Sequence, residues 1–420
     1  MAAAVGLYHR GMHVFPDALA PRGLPPGALL ILSLAAFGGA FATRVMDPIL
    51  PLLASEFSVS LADAAQVVTV FSLAYGLALL LFGPLGDRFG KFRVIGWSVM
   101  ACALTSLACA LAPDFSGLVA ARLVSGVAAA AIIPLAMAFI GDTVPYAERQ
   151  PVLARFLLGQ ILGMSAGVVV GGLAADTLGW RMPFWGLACW FVAIAYALRR
   201  VGCHIPRPAT SPAVARPPLL QMAGEFGRVM AVPWARVVLL TVFLEGMCIF
   251  GTFAFMAAHL HTTFGLPLAT AGAALMGFGA GGVAFSLGAQ RLVAGLGEVR
   301  LACCGAGAVA VALVAMACAP AWWWAVPGCF AMGMGFYMQH NTLQTHATQM
   351  APQRRGAAVA AFASCFFLGQ AAGVWLAGQA VARHGTRPML VAGALGILAL
   401  GMAFGCLQLR RARGLQAARV

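Results

Sequence analysis

Charge is what this sequence has least of. Only 9% of its 420 residues are Asp, Glu, Lys or Arg, against roughly 25% in an ordinary soluble domain, and Lys91 is the sole lysine. A chain so poor in charge cannot cover a globule with a solvated surface. The net charge of +14 comes from arginines scattered in short segments, which excludes the clustered basic face of a nucleic-acid binder. The eleven cysteines include no C-x-x-C pair, and Cys102, Cys109, Cys248 and Cys318 lie in apolar runs as small hydrophobes. That argues against a disulfide or metal framework. With no G-x-x-x-x-G-K-[ST] loop and no H-E-x-x-H helix, the chain also lacks the marks of a nucleotide-driven pump or a metallohydrolase. No cofactor and no catalytic residue is expected.

What is present is apolar length. Hydrophobic residues make up 62% of the chain, in blocks of about 20, the length a helix needs to cross a hydrocarbon core of roughly 30 Å. The blocks predict an all-α integral membrane fold of twelve spans. They fall into an N-terminal tail at 1–27, a six-helix bundle at 28–199, a proline- and arginine-rich linker at 200–234, a second bundle at 235–409 and a tail at 410–420. The bundles echo each other: ALAP at 110–113 and ACAP at 317–320, LGQ at 158–160 and at 368–370, GWRMP from 179 and GTRP from 385. Matches displaced by about the same amount argue for a parallel repeat. Of the 26 basic residues, 21 fall in the tails and the even-numbered loops, which predicts that both termini are cytoplasmic in a cell (inner) membrane.

The loop after the second span reads GPLGDRFGKFRV. Gly83, Leu85, Asp87, Arg88, Gly90 and Lys91 resemble motif A of the major facilitator superfamily, G-x-L-x-D-R-x-G-R/K. The resemblance implies a conformational latch formed by Gly83, Asp87, Arg88, Gly90 and Lys91, with Asp87 accepting from a helix N-terminus and pairing with Arg88. The second-half counterpart keeps Gly288 and Arg291 without the acid. RLVSG, from Arg122 to Gly126, resembles motif B, whose intramembrane arginine should face the interior of the bundle. In the fifth span Gly159, Gly163, Gly167, Gly171 and Gly172 form a smooth stripe for close helix packing. The end of that stripe resembles the antiporter motif C of the drug and proton exchange branch, with Val168 in place of its proline.

Few polar residues stand inside the spans. Arg44 and Asp47 are neighbours on one helical face of TRVMDPILP, a pattern resembling the first span of twelve-span exporters; the pair reads either as a site or as a structural ion pair. Glu245 is the only acid within the second bundle's spans, and a carboxyl group there is suited to loading and unloading a proton or to a plain hydrogen bond. Tyr337, His340, Asn341 and Gln344 recur at three- and four-residue steps, so they either line a cavity or pack against neighbouring helices.

The resemblance implies a monomeric secondary transporter in the lipid bilayer, carrying a small-molecule substrate by alternating access. Asp47 and Glu245 would carry protons, and Arg44 and Arg122 would tune them. Proton-coupled efflux of a drug or metabolite is the expected activity; proton-coupled uptake of a sugar, amino acid or organic anion is the alternative.

Overall fold

A computed structural model describes residues 24–203 and 219–417. Most of the tail expected at 1–27 and the proline-rich part of the linker therefore lie outside the described residues.

Helices follow one another with almost no loop. The first half contains α1 (Ala28–Arg44), α2 (Leu50–Glu56), α3 (Leu61–Ala64), α4 (Gln66–Phe89), α5 (Lys91–Ala110), α6 (Phe115–Ala129), α7 (Ile132–Thr143), α8 (Tyr146–Asp176) and α9 (Met182–Gly202). After α10 (Leu219–Ala231), the second half contains α11 (Pro233–Phe253), α12 (Met256–Phe264), α13 (Leu268–Leu275), α14 (Gly277–Ala317), α15 (Ala325–Gln349), α16 (Arg355–His384) and α17 (Thr386–Ala417). Among the described residues, nine helical stretches are long and apolar enough to cross a membrane. One of them, Leu268–Ala317, is bent at Gly297, whose φ of 70° interrupts α14.

Local chemistry sets the boundaries. Gly90, at φ 91°, ends α4 and opens α5. The Asp114 side chain caps α6 by accepting from the Gly117 amide at 2.7 Å. That bond, with the Ser116 hydroxyl, holds its carboxyl below the usual carboxylate range. Proline at 48 removes a backbone donor from the turn between α1 and α2.

The pairing of helices repeats. In the first half α1 packs on α8, α4 on α6 and α5 on α9; in the second, α11 packs on α16, and α14 on both α15 and α17. The glycine stripe makes the first of these contacts. A side chain at Gly159, Gly163, Gly167 or Gly171 would run into the carbonyl of Ser33, Phe37, Phe41 or Val45 in turn. Residues four apart on one helix thus face residues four apart on the other, with the backbones nearly touching. A displacement of 206 residues carries Gly163 on Phe37 to Gly369 on Phe243, and Gly167 on Phe41 to Gly373 on Met247.

The halves meet along α4 with α16 and along α8 with α13. Gly76 abuts the backbone of Ser364 and Leu368, Gly378 abuts Ala62, and Gly172 abuts Leu268. The Gly76 approach lies midway along α4 and α16, and the other two lie toward one end of the molecule; residues 45–50 and 253–260 are all buried between the halves on that side. We call this the closed end. The loops near 90, 145, 297 and 352 lie at the other end.

The linker departs from expectation. Its second part is the helix α10, which packs on α11 and α16. Apolar Phe226 and Val229 insert beside Trp234 and Phe362, and Glu225 pairs with Arg354 at 2.6 Å. The last helix, α17, also runs past the expected span end at 409, to Ala417.

Candidate functional site

Among the described residues, the first half buries three charged groups. Arg44 closes α1, and its Nη1 lies 3.4 Å from Asp47 Oδ2 in the turn that follows, with the two side chains 4% and 0% exposed. The three-residue spacing brings them together across the turn that follows α1, not along one helical face. Arg44 Nη2 donates to Gln370 Oε1 on α16 at 3.0 Å, and Gln370 Nε2 donates to Ser72 Oγ on α4 at 2.7 Å. The guanidinium also sits 4.0 Å over the Phe250 ring of α11. One arginine therefore touches both halves.

Arg122 is buried rather than reaching to a surface. It donates from Nε to Val67 O at 3.2 Å and from Nη1 to Ala42 O at 3.1 Å, and it lies 4.1 Å over the Phe71 ring. Backbone carbonyls of α1 and α4 thus satisfy a charge that lipid could not.

In the second half, Glu245 of α11 and His340 of α15 come together. Glu245 Oε2 lies 2.7 Å from His340 Nδ1, and the carboxyl side chain is fully buried. The imidazole is surrounded by Phe336, Phe362 and Phe366, with ring centroids at 4.9, 5.3 and 5.0 Å. Tyr337 lies a turn nearer the closed end and shares a narrow cleft with Arg44, Ser165, Phe253 and Phe278. Asn341 is half-buried and Gln344 exposed, further along α15 than the Glu245 pair.

The motif A residues stand apart from this cluster, at the end opposite the closed one. Asp87 contacts Lys91 at 3.3 Å, and Lys91 reaches Asp142 on α7 at 2.5 Å. The partner that the geometry gives Asp87 is thus Lys91 rather than the Arg88 expected from the motif. Gly83 is exposed, while Gly90 supplies the left-handed turn between the helices. Of the glycine stripe, Gly172 faces the second half at Leu268.

Sequence reading overlooked Gln370, Ser72 and Ser165. The clue to Gln370 was the LGQ triplet, which recurs at 158–160 and 368–370. Among the described residues no group of three or more His, Cys, Asp or Glu could hold a metal ion.

Buried charges inside a multi-span helical protein, linked across its two halves, are costly in a membrane and are the kind of feature that membrane transport proteins carry. The chain belongs to the Major Facilitator Superfamily, whose family model matches residues 32–374, and it is a secondary transporter in the general sense of that family. It is 26% identical over 296 residues to the uncharacterized MFS-type transporter YwfA of Bacillus subtilis, covering 70% of this chain and 71% of the relative. It is 28% identical over 155 residues to the multidrug export protein EmrB of Escherichia coli K12, covering 37% and 30%. The fold matches that of a bacterial homolog to the human lysosomal transporter Spinster, solved in an inward-facing and unoccupied conformation. The TM-score is 0.71, with 19% identity, 91% of this chain covered and 96% of the other.

Proposed function

We propose that this protein is a twelve-span, proton-coupled exporter of small organic molecules in the cell (inner) membrane, working as a monomer with both termini in the cytoplasm. Twelve spans result when α1 with α2, α3 with α4, α6 with α7 and α11 with α12 each count as one broken helix, and α13 with α14 as two spans divided at Gly297. Broken helices near the middle of a transporter expose backbone where an ion or substrate binds. The reading takes the closed end as the external face, so that the cavity opens to the cytoplasm, in keeping with the excess of basic residues there.

The observation that carries the reading is the Arg44, Asp47 and Gln370 cluster. An acid that binds an arginine, which in turn holds the other half, links its own protonation to the contact between halves. Neutralising Asp47 releases Arg44 from its counter-ion and alters the bridge to Gln370. Outward opening must also break the bond from the Ser364 hydroxyl to Gly76 O at 2.7 Å, and the bond from the Ala269 amide to Asp176 Oδ2 at 2.7 Å. Glu245 with His340 offers a second proton site, and Asp87, Lys91 and Asp142 form an ion-pair cluster at the cytoplasmic end that ties α4, α5 and α7 of the first half together. Efflux as the direction is supported by the likeness to an export protein. The reading assigns the chain no enzymatic step.

Transport measured in proteoliposomes under an imposed pH difference tests this. Asp47→Asn should remove proton-driven flux while leaving folded protein in the membrane; flux unchanged across pH would overturn the assignment. Cells expressing the protein should retain more cargo when an uncoupler collapses the gradient, and less retention would reverse the direction.

A further inference from the structure

We propose that the cleft between α1, α8, α14 and α15 holds its cargo by a carboxylate, which makes the cargo a small amphipathic organic acid. The inference rests on the transporter reading and adds the class of molecule carried.

The cleft is lined by three polar side chains, Arg44, Ser165 and Tyr337, and otherwise by apolar residues that include Met164, Phe253 and Phe278. All three polar groups can donate: one guanidinium and two hydroxyls. No carboxylate is among the lining residues. Asp47 is not a lining residue and engages Arg44 at Nη1.

Arg44 has a donor to spare. Its Nη1 faces Asp47 and its Nη2 faces Gln370, but Nε has no partner even though the residue is 3% exposed. A buried charged donor left unmatched is costly, and a bond from it to an ionised acceptor is among the strongest a protein makes. An arriving carboxylate supplies that acceptor without displacing Asp47 or Gln370. A cationic cargo would instead meet a fixed guanidinium with no acid in the wall to offset it.

The rest of the wall is apolar; the space is narrow in this state, about 10 Å³ or room for roughly one water, so the cleft must widen as the halves move to admit an apolar body. Phe253 and Phe278 come from the second half, and Ile161 and Met164 from the first, so a bound ring would touch both halves. Gly279 matters here, because a side chain at that position would collide with Ser165 Oγ. The glycine leaves the hydroxyl in place at the wall.

Charge also makes the transport mode measurable. One-for-one exchange of an outgoing anion for an incoming proton moves net charge, so a membrane potential alone should drive it. Co-transport of the same pair would move none.

The test uses a matched aromatic series, hydrocinnamate, hydrocinnamamide and phenylpropylammonium, added to the full-length protein in detergent without any gradient. Binding is read from tryptophan fluorescence and thermal shift. Hydrocinnamate should bind roughly ten- to a hundredfold more tightly than the amide, and the ammonium compound should not bind. Arg44→Gln should erase the preference. Ser165→Ala and Tyr337→Phe, which leave Arg44 and its partners in place, should each weaken hydrocinnamate several-fold and so keep the test open if Arg44→Gln does not fold. Equal binding of the ammonium compound, or undiminished hydrocinnamate binding in both hydroxyl variants, overturns the proposal. Selective binding without flux in liposomes would uphold the site and count against the transporter reading instead. Flux of another cargo without the carboxylate preference would do the reverse.

Discussion

Gln370 and Arg44 meet at 3.0 Å across the two halves, although 326 residues separate them. The same amide passes the connection to Ser72 at 2.7 Å, so one neutral side chain ties α1, α4 and α16 together. An amide suits that place because it accepts from the arginine and donates to the serine at once. An acid there would have competed with Asp47 for the guanidinium.

Gln370→Leu nearly keeps the volume and removes both bonds. A hydrogen bond to a charged group contributes about 1.5–3 kcal/mol, so its loss should shift the balance toward the state open at the closed end by roughly tenfold or more. Ala269→Cys, in a background without other reactive thiols, reports the opening through its rate of labelling by an impermeant reagent. Faster labelling in the Gln370 variant is expected, and identical rates would remove Gln370 from the gate.

The Glu245 and His340 pair should respond unequally to its two substitutions. Glu245→Gln leaves a neutral group able to hydrogen-bond the imidazole, so thermal stability in detergent should change little while the proton dependence of transport falls. His340→Leu strands a carboxyl whose Oε1 already lacks a partner, and breaking a buried pair in this way costs on the order of 3 kcal/mol. Melting curves of the two variants check the order; a Glu245→Gln protein less stable than His340→Leu would refute it.

How much of this was legible in advance depends on which physical signal a residue leaves. The stripe at Gly159, Gly163, Gly167 and Gly171 announced a close helix contact, because spacing by four maps directly onto one helical face. Arg44 with Asp47 was legible from its three-residue spacing, although a turn rather than one helical face joins the two. Glu245 and His340 each stood out as ionisable residues in apolar runs, yet their meeting depends on how α11 and α15 are rotated, which a single sequence does not encode. Gln370 and Ser72 were overlooked because an uncharged polar side chain barely disturbs the hydropathy of a span. The motif pattern points Asp87 to its neighbour Arg88, whereas the turn at Gly90 brings Lys91 toward it.

Gly163→Leu should disrupt packing of α1 on α8. A side chain there collides with the backbone of Phe37, which cannot give way as a flexible side chain could, and overpacking of this kind costs about 1–3 kcal/mol or more. Gly186→Leu serves as the control, since a side chain at Gly186 meets nothing within 4 Å. Size-exclusion profiles of the two purified variants should show loss of monodisperse protein for Gly163→Leu alone. Equal profiles would mean that the stripe tolerates bulk and that the close approach is dispensable.

The two halves carry corresponding ion pairs of opposite sign at the end away from the closed one. Gly90, at φ 91°, precedes Lys91, and Gly297, at φ 70°, precedes Glu298. Lys91 reaches Asp142 at 2.5 Å, and Glu298 reaches His346 at 3.6 Å. In each half the residue after a left-handed glycine thus meets the far end of the next span, with cation and anion exchanged. Partly exposed pairs of this kind contribute only about 0.2–1 kcal/mol, so substitution should leave melting temperatures nearly unchanged. Their effect should appear in the balance of states instead, and only the second pair contains a group that titrates near neutrality. His346 also faces Gln408 and the ring of Trp234, with Arg411 stacked on that ring, so its charge is felt by both α11 and α17. Partial burial disfavours the charged imidazole, so the informative range lies lower: a step from about pH 7 to about pH 5 should slow opening of the closed end in the parent, because a charged His346 binds Glu298 more firmly. Glu298→Gln should blunt that response, and Lys91→Ala should not. Labelling of Ala269→Cys across the same pH range measures it, and an undiminished response in Glu298→Gln would show that the pH sensitivity resides at Asp47 or Glu245.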